Sequence, residues 1–123
     1  MSRVLALGLD PKCVDLSAMG GFTPEMVRAF IDAQLDRIRA AGHEVVSCLV
    51  DTGETAVDVT RSQLRSGPFD VVLVGAGLRE EAHLLLFETL LNLVHEFAPG
   101  AKVCFNSSPA DSLEAVQRWA RPT

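Results

Sequence analysis

Long apolar runs are missing from this sequence. The longest, Leu84 to Val94, is broken by Glu88, Thr89 and Asn92, well short of the roughly 20 apolar residues that a membrane span needs. The stretch Met1–Leu9 lacks a basic region, a full apolar core and a cleavage site, and it runs straight into Asp10. A secretory leader is therefore not expected. Cysteine is scarce: Cys13, Cys48 and Cys104 cannot all pair within one chain, and the last two lie inside apolar runs, where a thiol behaves as a small hydrophobe. A reduced, cytoplasmic protein is the expectation. No cysteines stand at CxxC spacing and no histidines at HxxxH spacing, so no metal site is expected.

Positive charge is also in deficit. Eleven Lys+Arg face sixteen Asp+Glu, for a net charge of -5, and the two halves of the chain share the imbalance. That argues against a nucleic-acid partner, whose phosphates call for a basic patch. Repeats, low-complexity tracts and linkers are absent, and hydrophobic residues make up 48% of the chain. The sequence thus reads as a single globular α/β domain over residues 1–123.

What is present is an alternation. Four short runs rich in branched aliphatics, Arg3–Leu9, Glu44–Val50, Asp70–Val74 and Ala101–Asn106, are nearly continuously apolar, as strands covered on both faces are. Helical spacing fills the intervals. In Thr23–Ala41 the residues Val27, Phe30, Ile31, Leu35 and Ile38 form one stripe. Thr23 suits the N-cap of that helix, Pro24 its first position and Gly42 its exit. Glu54–Arg65 is a poorer helix because Thr55, Val57, Val59 and Thr60 are β-branched. Arg79–Phe97 is long and strongly helical, and Pro109–Ala120 follows Ser108 as its cap. The order β-α-β-α-β-α-β-α calls for a parallel sheet with helices on both faces. The expected architecture is a three-layer sandwich with a four-stranded sheet in the order 2-1-3-4, a flavodoxin-like or Rossmann-like layout truncated by one strand.

Open parallel sheets bind ligands beyond the carboxyl ends of their strands, where strand order reverses. In the order 2-1-3-4 that crevice lies between the first and third strands. Asp10, Lys12 and Cys13 leave the first, Gly75, Ala76, Gly77 and Arg79 leave the third, and Asn106, Ser107 and Ser108 leave the fourth nearby. The glycine turn permits close backbone approach, and Arg79 suits a phosphate or carboxylate. A small anionic ligand is therefore expected there, with the long Asp10–Phe22 connection closing over it. Asp10 and Cys13 are the weak catalytic candidates: Asp10 ends a strand at this edge, and Lys12 beside Cys13 favours a thiolate. No motif identifies a cofactor, and a flavin, whose contacts are often to backbone, is compatible with this edge.

Related chemistries lack residues they need. Receiver domains of two-component signalling carry an acidic residue after the third strand, where Gly75 stands here. Flavodoxins place a Ser/Thr-rich phosphate loop after the first strand, but this chain has Asp10-Pro11-Lys12-Cys13. Cobalamin-binding domains want a His where Lys12 stands. A second reading concerns the helix over residues 79–97. Leu84, Leu85, Leu86 and Phe87 in succession cover more than one helical face, so a surplus apolar face is expected, suited to a homodimer or another protein partner.

Overall fold

Strand β1 (Arg3–Leu9) sits inside the sheet, and every position beyond Arg3 is apolar. It pairs in parallel with β2 (Glu44–Val50), Ala6 opposite Ser47, and with β3 (Val71–Val74), Ala6 opposite Leu73. Strand β4 (Lys102–Phe105) lies outside β3, so the four-stranded sheet has the order β2-β1-β3-β4. The expected α/β layout, flavodoxin-like and one strand short, is the observed one. The structure, a computed structural model, describes residues 2–17, 20–53 and 55–120. None of its helices is long and apolar enough to cross a membrane among those residues.

Four α-helices flank the sheet among the described residues: α1 (Pro24–Ala40), α2 (Ala56–Arg65), α3 (Leu84–Phe97) and α4 (Ser112–Trp119). Helices α1 and α4 cover one face, over Val4, Ala6, Val45, Val71, Leu73 and Cys104. Helices α2 and α3 cover the other, over Leu5, Leu7, Leu9, Cys48, Val72 and Val74. The two cores differ in bulk because β1 alternates: Leu5, Leu7 and Leu9 point one way, and Val4, Ala6 and Gly8 the other.

Helix α1 begins as its sequence predicts. Thr23 Oγ1 accepts from Met26 N at 3.2 Å, Pro24 occupies the first turn, and Gly42 leaves with a φ of 99°, a backbone region that favours glycine. Helix α2 forms despite its β-branched residues because Ala56, Thr60 and Leu64, four apart, are all buried; packing overrides propensity.

Two helices are shorter than the sequence suggests. The segment expected to be helical from Arg79 starts only at Leu84, preceded by 3-10 turns at Ala76–Arg79 and Glu81–His83. Glu80, extended at φ -70° and ψ 151°, separates the turns while the Arg79 side chain reaches back to the end of β3. Pro109–Ala120 likewise divides into a 3-10 turn at Pro109–Asp111 and α4. The connection after β1 is not featureless either, since Pro11–Cys13 form a 3-10 turn capped by Asp10.

Candidate functional site

A cavity of about 480 Å³ opens at the carboxyl edge of the sheet, between the sheet and the N-terminal half of α1. Its origin is a taper in side-chain size. On the face under α1, β1 runs Val4, Ala6, Gly8, and the register sets Gly8 beside Leu49 and Ala6 beside Leu73. Toward the carboxyl ends the floor loses bulk, finishing in Gly8 and Gly75. At the amino ends, Ile38 of α1 is fully packed against the sheet, and Leu35, also buried, closes the inner end of the cavity. Farther along, Val27, Phe30 and Ile31 roof the space without filling it.

Loop side chains complete the walls. Pro11, Val14, Leu16 and Phe22, from the long connection after β1, all line the cavity. Ala18 and Met19 within it fall outside the described residues. Phe22, just before α1, and Met26 and Phe30 on it, spaced four apart, remain half exposed, and Phe22 and Phe30 line the cavity.

Of the residues singled out from the sequence, Gly75, Ala76, Gly77, Asn106 and Ser108 come together as cavity walls. The others are engaged elsewhere. Asp10 Oδ1 accepts from Lys12 N at 3.0 Å, a turn cap, while Asp10 N donates to Val50 O at 2.8 Å. The Lys12 side chain is exposed. Cys13 packs against the core on the α2/α3 face. Ser107 Oγ donates to Asp111 Oδ2 at 2.7 Å, closing the turn before α4.

Arg79 is bound into the fold. Its Nε donates to Val74 O at 3.3 Å, and its Nη2 donates to the Asn106 backbone carbonyl and, at 3.2 Å, to Asn106 Oδ1. The guanidinium also lies over the Phe105 ring, 4.7 Å from its centroid. Phe105 in turn meets Phe87 edge-on at 5.8 Å. Arg79 therefore ties β4 to β3 from behind the cavity rather than projecting into it.

Asn106 carries the polar end of the site. It is 5% exposed, and Ser112 behind it is 3% exposed. Asn106 Nδ2 donates to Ser112 Oγ at 3.1 Å, and Ser112 Oγ donates to Pro109 O at 2.7 Å. Both residues line the cavity. Among the described residues, Glu80 is the one charged side chain in its walls. Among the described residues, no three His, Cys, Asp or Glu side chains converge to hold a metal ion.

The cavity residues that sequence reasoning missed are mostly apolar, Ala6 and Leu49 of the floor and Val27, Phe30 and Ile31 above, with the polar Ser47, Glu80 and Ser112 beside them. The signal was present in β1, whose two faces read Leu-Leu-Leu and Val-Ala-Gly. A comparison with protein-family models finds no match for this chain, and a comparison with curated proteins finds none either.

Proposed function

We propose that this protein binds a small, predominantly apolar, uncharged molecule at the carboxyl edge of its parallel sheet. The observation that carries this reading is the cavity itself. Its volume of about 480 Å³ falls within the range of roughly 300–1,000 Å³ typical of small-molecule sites. Its walls are mostly aliphatic and aromatic, with a few polar groups gathered around Asn106 and Ser108. The position agrees with the place expected from strand order. The ligand chemistry favoured is different from the small anion that the sequence suggests, because among the described residues the walls include Glu80 and no Lys or Arg, and Arg79 is engaged with backbone carbonyls.

A pair of dyes tests the reading. N-phenyl-1-naphthylamine is uncharged, and 8-anilinonaphthalene-1-sulfonate adds a sulfonate to the same body. Fluorescence enhancement by the neutral dye, stronger than by the sulfonated one, is expected. Stronger binding of the sulfonate would favour the anionic ligand instead. Gly75→Val places the specificity of the test. A Cβ at Gly75 meets only ordinary contacts, with Gly8 Cα and Leu7 O at 3.6 Å, and its φ of -70° and ψ of 155° suit a β-branched residue. The added methyl groups reduce the cavity, so dye binding is expected to fall while a cooperative melt persists. Dye binding unchanged in this variant overturns the assignment to this cavity.

A second reading is favoured by a specific feature of α3. Leu84 and Leu85 on its first turn are 53% and 76% exposed, whereas Leu86 and Phe87 pack against the core. The surplus apolar face is thus narrower than the sequence suggests, and it centres on this pair. An assembly with a second copy or another protein through Leu84 and Leu85 is tested by sedimentation velocity of the native chain and Leu85→Glu. A single monomeric species in both removes the dimer.

A further inference from the structure

The hydrogen-bond chain behind the cavity has a fixed direction. An arginine side chain can only donate, so the Asn106 amide oxygen must be the atom that faces Arg79 Nη2. The amide nitrogen is then on the other side, where it donates to Ser112 Oγ. The Ser112 hydroxyl, having accepted that bond, donates onward to Pro109 O. Every step runs the same way, and a charged donor at the head polarises the neutral groups after it.

One donor in this chain is left over. An amide NH₂ carries two hydrogens. Only the bond to Ser112 Oγ involves Asn106 Nδ2 among the described residues, although the residue is only 5% exposed. A buried donor without an acceptor is costly. Asn106 lines the cavity, a space from which an acceptor can arrive.

We infer that the second N–H of Asn106 is the recognition element of the cavity and that its ligand carries a carbonyl-type hydrogen-bond acceptor at the end of an apolar body. This inference rests on the proposed ligand-binding role of the cavity and adds the chemical class of its occupant. The guanidinium behind Asn106 sharpens the preference. By holding the amide oxygen it stops the side chain from flipping, so the cavity is offered a donor and never an acceptor. It also draws electron density from the amide, which strengthens the free N–H as a donor. Alcohols that approach as donors gain nothing from this group. Arg79 acts through Asn106 and is a positioning residue.

The test uses benzophenone and diphenylmethane, which share two phenyl rings and differ in a central carbonyl against a methylene. Displacement of N-phenyl-1-naphthylamine from the protein reports the affinity of each, and the ratio of the two affinities is measured in the native chain and in Asn106→Asp. That variant keeps the size of the side chain and an acceptor for Arg79, and replaces the donor with a carboxylate oxygen. The affinity of the ketone relative to the hydrocarbon is expected to fall about tenfold or more in Asn106→Asp, with diphenylmethane little changed. A ratio that stays the same overturns the role of Asn106 while leaving the cavity reading intact. Failure of all three compounds to bind the native chain overturns the cavity reading and this inference with it. The infrared carbonyl stretch of isotope-labelled benzophenone bound to the native protein provides a measurement that needs no variant. A shift to lower frequency than in a hydrocarbon solvent is expected, and an unshifted band overturns the inference even where Asn106→Asp fails to fold.

Discussion

Arg79 and Asn106, 27 residues apart, are joined twice, because one guanidinium nitrogen donates both to the backbone carbonyl and to the side-chain oxygen of Asn106. The same guanidinium reaches Val74 O at 3.3 Å and lies over the ring of Phe105. The end of β3, the end of β4 and the wall of the cavity are thereby fixed to one another by a single side chain.

Removing that link is expected to lower stability rather than only ligand affinity. Hydrogen bonds to charged groups contribute about 1.5–3 kcal/mol, and Arg79→Ala would leave the buried Asn106 oxygen without its donor. A loss of about 2 kcal/mol in urea unfolding is expected. Arg79→Lys is expected to recover only part of it, because an ammonium cannot reproduce the fork geometry or its stacking on Phe105. A stability unchanged in Arg79→Ala would show that the side chain is dispensable to the fold.

The cap of α1 bears on the cavity directly. Thr23 Oγ1 accepts from Met26 N, and the helical turn that follows carries Val27, part of the roof. Thr23→Ala is expected to cost about 1 kcal/mol, as the loss of an N-cap does. Hydrogen exchange should show where the cost falls. Amides around Val27 are expected to exchange faster in the variant, while those around Leu35 and Ile38, which are buried against the sheet, are expected to keep their protection.

The buried thiols set an alkaline limit. Burial pushes Cys48 from 9.0 up to about 11 and Cys104 from 9.0 up to about 12. Both sites therefore hold the neutral thiol more firmly folded than unfolded. This contribution to stability is fully present below pH 9 and is lost as pH rises through 11 and 12. Denaturant titrations across that window should show the decline, and Cys104→Ala should reduce it. At pH 8, iodoacetamide is expected to label Cys13, which is only partly buried, before either of the others. Mass spectrometry of early labelling would expose the opposite order.

Acid acts at the turn before α4. Asp111 accepts from Ser107 Oγ and from the backbone N–H groups of Ser107 and Ser108, and these bonds hold its carboxyl below the ordinary 3.8. The stability it confers is present above pH 3.8 and is lost as pH falls through its lower folded value. Asp111→Asn is expected to flatten the acid limb of the stability profile, because the amide does not titrate while its oxygen still accepts from the Ser107 and Ser108 N–H groups. It is also expected to lower stability modestly at neutral pH through loss of the charge-assisted bond from Ser107 Oγ. An acid limb as steep as that of the native chain would assign the sensitivity to other carboxylates.

Strand order and layering were legible in the sequence because they follow from local pattern. Apolar runs such as Glu44–Val50 and Asp70–Val74, separated by amphipathic segments, admit few topologies other than a parallel sheet covered on both faces. The edge that holds the cavity was legible for the same reason. Helix starts were legible only where a cap of short range decided them, as at Thr23. The start of α3 was not, since Arg79, Glu80 and the residues around them have ordinary helical propensity, and a side-chain link to β4 decided otherwise.

The sequence by itself determined that this chain folds as alternating strands and helices, because periodicity of apolar residues is a property of neighbours along the chain. It also carried the unequal faces of β1, Leu5, Leu7 and Leu9 against Val4, Ala6 and Gly8. Only the tertiary structure decided what that inequality does. Void volume depends on which helix lies over the small residues and on what the adjoining strands place beside them. Arg79, an exposed anion ligand by its sequence position, became an internal tie because Asn106 arrives beside it from 27 residues away, a proximity that no local pattern encodes.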